Sequence, residues 1–134
     1  MTRRFTALLC GAVWPFLHGV AHAENWQIVF ETPAEIISVD VSNIRTDAGR
    51  VWFREKRVAR TQQLDPNSLR RIREIQQRRI ADCSKRLIAT VSRAVFADDD
   101  ALINYQARRP QQAEWTPALP DQAEFDRVCG RSPG

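Results

Sequence analysis

Apolar and polar residues alternate with a period of two along much of the chain after residue 24, which is typical of half-buried strands. In the run NWQIVFE, Trp26, Ile28 and Phe30 are expected to point inward. A second β-rich run, AEIISVDVSNI, ends near Asp40 and is followed by the turn signal TDAG at residues 46–49 and a third run, RVWFREKRVAR. Because Asn, Asp and Gly favour turns between strands, these segments predict an antiparallel meander.

The second half of the chain continues the β pattern. The run KRLIATVSRAVFA is rich in β-branched residues, and ALINYQAR follows it after a charged turn at Asp98–Asp100. The segment RRPQQAEWTPALP contains three prolines, so we expect it to be irregular. Together the runs predict an α+β domain built on an antiparallel sheet of about six strands.

A short helix is predicted near the C-terminus, from about Gln122 to Cys129. Asp121 and Glu124 match a capping pattern in which Asp121 accepts from the helix amides and Glu124 reaches back. Gly130 then ends the helix. Its apolar stripe consists of Phe125, Val128 and Cys129 at positions i, i+3 and i+4. A helix this short is marginal alone, so it must pack on the sheet.

The stretch SLRRIREIQQRRIADCS is compatible with two secondary structures. Apolar residues recur at helical spacing among strong helix formers, at Leu69, Ile72 and Ile75. The later part has its apolar residues on one side of a strand, and the segment after it is an evident hairpin partner. Tertiary context often overrides local propensity. We therefore predict a strand from Gln76 to Cys83 and leave residues 69–75 open between helix and strand.

The first 23 residues have the anatomy of a secretory signal peptide. Arg3 and Arg4 precede an uncharged run from Phe5 to Ala23, which ends in the small-residue pattern Ala21-His22-Ala23. This pattern predicts cleavage before Glu24 and a mature domain at residues 24–134. The protein is therefore expected to be exported, to the periplasm or the cell surface.

Two other interpretations of this segment are weaker. A membrane span is disfavoured because Pro15 and His18 interrupt the apolar run, which is barely long enough to cross a bilayer. A lipid anchor on Cys10 is disfavoured because only nine residues precede it and Leu9 stands where a small residue is expected. We expect no stable membrane span after cleavage.

Cleavage leaves two cysteines, Cys83 and Cys129, in the mature chain. In an oxidising export compartment an even pair in a small domain is typical of one disulfide; two free thiols are the alternative. This bond would tie the terminal helix to the face of the sheet beneath it. Closing a loop of this length is expected to stabilise the fold by roughly 4 kcal/mol.

Cleavage also removes both histidines, His18 and His22. Nucleophilic Ser-His and Cys-His systems and histidine-ligated zinc are then excluded. Asp98–Asp100 lacks the spacing of a calcium loop and is expected to be a solvated hairpin turn. We predict no enzyme activity, no metal and no cofactor; a hydrolase using two carboxylates from distant positions is the remaining enzymatic alternative.

Positive charge is local rather than general. The chain carries 20 Lys and Arg against 16 Asp and Glu, and loss of Arg3 and Arg4 lowers its net charge from +4 to +2. The cationic residues concentrate between Arg54 and Arg93, which predicts a basic patch. The candidate partner-binding residues are Arg70, Arg71, Arg73, Arg78, Arg79, Lys85 and Arg86.

This patch has three interpretations. Nucleic-acid binding is disfavoured because export separates the chain from nucleic acid, so no such partner is predicted. A solvated surface needs no partner at all. A docking surface would use solvent-facing arginines for bidentate contacts to the carboxylates of a protein or the sulfates of a glycan. Trp26, Trp52 and Trp115 are expected in the core and would not contribute.

The residues IADCSKRLIATVSRAVFADDD and EWTPALPDQAEFDRVC resemble the bacterial surface-adhesin protein E family. The resemblance covers about Asn25 to Cys129 and implies a curved antiparallel sheet with the C-terminal helix held across one face by the disulfide. It also implies adhesion to host matrix or serum glycoproteins such as vitronectin and laminin. Phe96, where the family has Tyr, and the segment Pro120–Gln122 depart from its pattern.

The sequence therefore predicts an exported, non-enzymatic, protein-binding module whose basic patch meets host glycoproteins. The alternative is a periplasmic envelope accessory or inhibitor protein with no host ligand. A free sheet edge would also permit a homodimer by edge pairing.

Overall fold

The computed structural model describes residues 23–130, so the predicted signal peptide lies outside the described residues except for Ala23. Within this range the chain forms eight strands, one short α-helix and two 3₁₀-helices at Val41–Asn43 and Pro110–Gln112. The strands are β1 (Trp26–Glu31), β2 (Glu35–Asp40), β3 (Arg45–Asp47), β4 (Arg50–Leu64), β5 (Arg71–Asp82), β6 (Leu87–Ala97), β7 (Leu102–Ala107) and β8 (Trp115–Pro117). The α-helix is α1 (Ala123–Val128).

One open antiparallel sheet contains these strands in the order β1-β2-β4-β5-β6-β7. The short strand β3 pairs with β4 beyond the end of β2, and β8 pairs with β6 beyond the end of β7. The predicted meander is confirmed, because the first three runs form β1, β2 and β4 and pair in succession.

The sheet has more strands than the expected six because two strands are only three residues long. β3 extends to Asp47, so the predicted turn narrows to Ala48 and Gly49, whose φ angles are 50° and 76°. β8 lies in the segment that was expected to be irregular and ends at Pro117. It pairs with β6 alone among the described strands, an edge position in which proline is tolerated.

β5 begins at Arg71, so the segment at residues 69–75, which was left open between helix and strand, is a strand from Arg71 onward. It pairs with β4 on one side and with β6 on the other. Backbone pairing on both edges outweighs the helical spacing of its apolar residues. Leu69 lies in the turn before this strand, with a φ of 56°.

The inward prediction for Ile28 and Phe30 is wrong. The register of β1 against β2 shifts between these residues, and Val29, not they, packs against the core. Ile28 is 59% exposed and Phe30 is 42% exposed. Ile28 precedes the bulge and lies on the side of the sheet opposite α1, whereas the bulge moves Phe30 to the other side, which the alternation alone does not reveal.

The two faces of the sheet differ, and the one packed by α1 is called the helix face. α1 contacts β1, β2 and β4, so it covers one end of this face and leaves the rest open. The buried cluster beneath it consists of Val39, Val51, Phe53, Ala81, Ile88 and Phe125. Phe125 is fully buried, and burial of such a side chain contributes about 1.5–3 kcal/mol.

Cys83 and Cys129 form the predicted disulfide, with their Cα atoms 5.5 Å apart. The bond joins the turn after β5 to the C-terminal end of α1. Gly130 follows with a φ of 73°, in agreement with the predicted end of the helix. Among residues 23–130, no helix is long and apolar enough to cross a membrane.

The predicted cap of α1 is wrong. The N-cap residue is Gln122, and its side chain makes no capping hydrogen bond to the helix; its Oε1 accepts from the Leu119 amide instead. Asp121 is exposed, whereas Glu124 is buried and accepts hydrogen bonds from two arginines of the sheet. Glu124 therefore connects α1 to the sheet and does not cap the helix.

Candidate binding surface

The side of the sheet opposite the helix face carries the three tryptophans of the described residues, Trp26, Trp52 and Trp115, and is called the tryptophan face. Strand β4 shows how the sequence separates the faces. Val51, Phe53 and Glu55 are buried on the helix face, and the alternate positions lie on the tryptophan face. Those alternate residues are Arg50, Trp52, Arg54 and Lys56.

Strand register places Trp115 and Tyr105 on the same face. Trp52 lies opposite Ile80, which lies opposite Ala89, which in turn lies opposite Trp115. A parallel row crosses the sheet through Ile28, Ser38, Lys56, Gln76, Ala94 and Tyr105. Tyr105 is 60% exposed, so exposed apolar and aromatic groups occur at both ends of this row.

The prediction that the three tryptophans are core residues is wrong. Each is half-buried, and none belongs to the buried cluster of the helix face. Each also lies beneath a cation. The distances to the ring centroids are 5.5 Å from Arg45 to Trp52, 4.7 Å from Arg50 to Trp115, 5.2 Å from Arg54 to Trp26 and 4.4 Å from Lys56 to Trp26. These are cation–π distances.

An open cleft of about 760 Å³ on this face is lined in part by Arg45, Trp52, Arg54 and Arg78. Arg54 and Arg78 are directly opposite each other on β4 and β5. Like charges in this arrangement repel, and a counter-ion relieves the repulsion. Arg54 has two, Glu24 at 2.7 Å and Asp40 at 3.4 Å, but Arg78 makes no ion pair within residues 23–130.

Asp40 holds one wall of the cleft in place through hydrogen bonds to Ser42 and Asn43, which line it. Its side chain is fully buried and accepts hydrogen bonds from the Asn25 amide at 3.0 Å, the Ser42 amide at 3.2 Å and Asn43 Nδ2 at 2.6 Å. Burial alone would raise the pKa of Asp40, but these hydrogen bonds and the charge of Arg54 outweigh it and lower the pKa. Asp40 is therefore ionised at neutral pH and orients Arg54.

The structure does not bring the seven candidate residues, six arginines and one lysine, into one surface. Arg70 makes two contacts to Asp99, at 2.8 and 2.9 Å, across the ends of two hairpins. Arg71 lies 3.7 Å from Asp98, and Arg73 pairs with Asp100. The Asp98–Asp100 segment is a turn, as predicted, and it places carboxylates beside three of the candidates.

Arg79 and Arg86 lie near the helix and Arg78 lies on the tryptophan face. The prediction that the arginines face solvent is wrong for Arg79, whose side chain is 12% exposed. Arg86 extends over the Phe125 ring at 4.9 Å and donates to the Leu119 carbonyl at 3.2 Å. Lys85 lies in the exposed turn after β5. Partner binding by the candidate residues stays a prediction.

A buried ion cluster connects α1 to the sheet. Glu55, which is 0% exposed, accepts from Arg57 Nε at 2.5 Å and from Arg79 Nη1 at 2.8 Å. Glu124 of α1 lies 3.4 Å from Arg57 and 3.3 Å from Arg79. Burial opposes the charge of Arg57, but the carboxylates of Glu55, Glu124 and Glu35 outweigh this effect and raise its pKa. The sequence signal for this cluster is a glutamate at the core parity of β4, in line with Val51 and Phe53.

The two carboxylates of the cluster do not form an open acid–base pair. Glu55 and Glu124 are buried, and both are held by the same two arginines. An acid and base in a hydrolase must reach the proton that each transfers in a bound substrate. No group of three or more potential metal-ligating side chains occurs among residues 23–130.

Fold and surface together define a small disulfide-linked α+β domain with an open sheet face rich in tryptophan and arginine. The family model of the surface-adhesin protein E matches residues 26–130, and the chain belongs to this family, as its sequence motifs indicated. Comparison with curated proteins gives no match.

Two solved structures of protein E from Haemophilus influenzae share the fold. One, from a non-typeable strain, is 16% identical with a TM-score of 0.51, over 88% of this chain and 82% of that chain. The other, crystal form II, is 17% identical with a TM-score of 0.51, over 70% of this chain and 80% of that chain. At these identities the likeness concerns the fold alone.

Proposed function

We propose that the mature chain is an exported, non-enzymatic adhesin domain that binds an acidic extracellular protein through its tryptophan face. Family membership supports the class of function. The observation that carries the assignment of the surface is the set of cation–tryptophan pairs around the cleft, with Arg78 unpaired among the described residues. Trp, Tyr and Arg are the residues that dominate protein interfaces.

The arrangement also limits the entropic cost of binding. The side chains project from paired strands, and Arg54 is held by Asp40 before a partner arrives. A preorganised surface loses less conformational entropy on association than a flexible loop does. Carboxylates of a partner would meet Arg45 and Arg78, and the half-buried tryptophans would supply apolar area between them.

The tryptophan face is a better candidate than the hairpin end that carries Arg70, Arg71 and Arg73. Those three arginines already have aspartates as neighbours, so a partner would have to displace an existing counter-ion. Arg78, by contrast, is exposed and has no ion pair within the described range. Of the seven candidate residues, it is the one that contributes to the cleft.

Charge-reversal variants test this assignment. We expect Arg45→Glu/Arg78→Glu to weaken binding to immobilised vitronectin or laminin by about tenfold or more, since each lost charged contact is worth about 1.5–3 kcal/mol. The control Arg70→Glu/Arg71→Glu changes the net charge equally and should bind like the parent. Greater loss in the control would move the site to the hairpin end, and unchanged binding in both would refute a basic docking surface.

Location distinguishes this function from that of a periplasmic accessory protein. A surface adhesin should be digested when intact cells are treated with an external protease. Protein that resists the protease and is released with the soluble periplasm would support the accessory function instead. N-terminal sequencing of the same material would test cleavage before Glu24.

A further inference from the structure

A second pocket, of about 280 Å³, lies on the helix face, in the part that α1 leaves uncovered. Its position follows from the pairing of β6. On one side β6 pairs through Leu87–Ala89 with β8 and through Ser92–Phe96 with β7, so a gap remains between the ends of these two strands. Residues of β5, β6, β7 and β8 line this gap.

A bulge in β6 shapes the floor of the pocket. Arg78 lies opposite Ser92, but Arg79 lies opposite Thr90, so Val91 has no partner in β5. The carbonyl of Val91 accepts instead from the Arg108 amide at 2.8 Å, which starts the loop that leads away from β7. Bulges of this kind turn side chains out of the regular pleat and are enriched beside binding sites.

The side chains of the lining are mainly hydrogen-bonding groups. Gln77, Arg93 and Gln106 lie directly opposite one another on three successive strands. Thr90 and Thr116 add hydroxyl groups, and Ile88, Val91 and Ala107 supply small apolar patches. A neighbourhood of two amides, several hydroxyls and guanidinium groups matches a polar ligand that bears many hydroxyl groups.

The charge of the lining favours an anion. Arg93 and Arg108 contribute to it against the carboxylate of Glu114, which lies 3.9 Å from Arg108 at an exposed position. Arg93 makes no ion pair within residues 23–130. Arg79 is engaged through Nη1 by Glu55 and Glu124, while its buried Nε has no hydrogen-bond partner in the same range. Arg93 is therefore the cation of this lining that has no carboxylate partner among the described residues.

We propose that this pocket binds one anionic sugar unit, with its carboxylate or sulfate on Arg93 and its hydroxyls on Gln77, Gln106 and the threonines. The volume of the pocket suits a single monosaccharide-sized group, whereas the larger cleft of the tryptophan face is open to a protein surface. The two sites lie on opposite faces, so this inference does not depend on the proposed function.

Titration of the mature, oxidised chain followed by amide NMR tests the pocket. The probes are glucuronic acid, N-acetylglucosamine 6-sulfate, glucose and inorganic sulfate. We expect the two anionic sugars to shift the amide signals of Thr90, Arg93 and Gln106, and glucose to leave them in place. Shifts with glucose that match those with the anionic sugars would overturn the assignment, as would inorganic sulfate binding as tightly as either sugar, or the absence of any shift.

Two variants and one control locate the binding. Arg93→Gln should weaken the affinity for both anionic sugars by about tenfold, since it removes the charged contact. Gln106→Ala, at an exposed position of β7, should weaken it less and provides a second measurement if Arg93→Gln perturbs folding. Arg109→Gln removes the same charge outside the pocket and should bind like the parent. Equal loss in all three, or shifts centred on Trp52 and Arg78, would overturn the proposal.

Discussion

Arg79→Met should destabilise the fold far more than the same change at Arg78. The two arginines are neighbours in β5, but they project from opposite faces of the sheet. The side chain of Arg79 is 12% exposed and lies 2.8 Å from Glu55, whereas Arg78 is exposed and makes no ion pair in the described part of the chain. Loss of Arg79 leaves the buried Glu55 with Arg57 as its cationic partner there.

The size of the effect follows from this geometry. Removing one partner of a buried ion pair costs about 3–5 kcal/mol. Arg57 stays 2.5 Å from Glu55, so the lower end, about 3 kcal/mol, is expected. A domain of about 110 residues has an unfolding entropy near 0.23 kcal/mol/K, so Tm should fall by about 13 °C. Arg78→Met should change the free energy of unfolding by no more than about 0.5 kcal/mol.

Urea denaturation followed by tryptophan fluorescence measures both free energies, and circular dichroism gives Tm. A lower midpoint with an unchanged m value would show a loss of stability rather than a change in the unfolded state. The double variant Glu55→Met/Arg79→Met should recover part of the loss, because an apolar pair avoids an uncompensated buried charge. Equal stabilities of Arg78→Met and Arg79→Met would refute the role of the buried ion cluster in stability.

Three further predictions concern the disulfide, the stability at acid pH and the surroundings of the tryptophans. Cys129→Ala opens a loop with a sequence separation of 46 and should cost about 4 kcal/mol in urea denaturation, and the reduced parent should match the variant. The pKa of Asp40 is lowered from 3.8 by its hydrogen bonds despite burial, so its stabilisation is present above that pH and is lost as pH falls further. Asp40→Asn should therefore flatten the dependence of Tm on pH below about 4, and an unchanged slope would contradict the assignment. Anionic iodide should quench the tryptophan fluorescence of the mature chain more than cationic caesium does, because cations lie over all three rings; equal quenching would contradict this arrangement.

Much of the fold could be predicted because each long strand carries its own alternation of apolar and polar residues. The same alternation in β4 also indicates the tryptophan face, because Trp52 lies on the same side of the strand as Arg54 and Lys56, and Phe53 lies on the other side. The residue of the neighbouring strand β5 that lies on the tryptophan face could not be predicted in this way. Whether Arg78 or Arg79 faces the helix depends on the register between β5 and β4, and a shift of one residue would exchange them.

The register of the strands therefore places the residues that stabilise the fold on one face of the sheet and the residues proposed to bind a partner on the other. α1, the disulfide and the Glu55 cluster all act on the helix face, and their contacts hold the sheet from that side. The cations of the tryptophan face lie mostly outside this network, so they can contact a partner at little cost to the fold. Variants of Arg45 and Arg78 should consequently change affinity with little change in unfolding free energy. Variants of Arg79 should do the reverse, because the protein that remains folded keeps an intact tryptophan face.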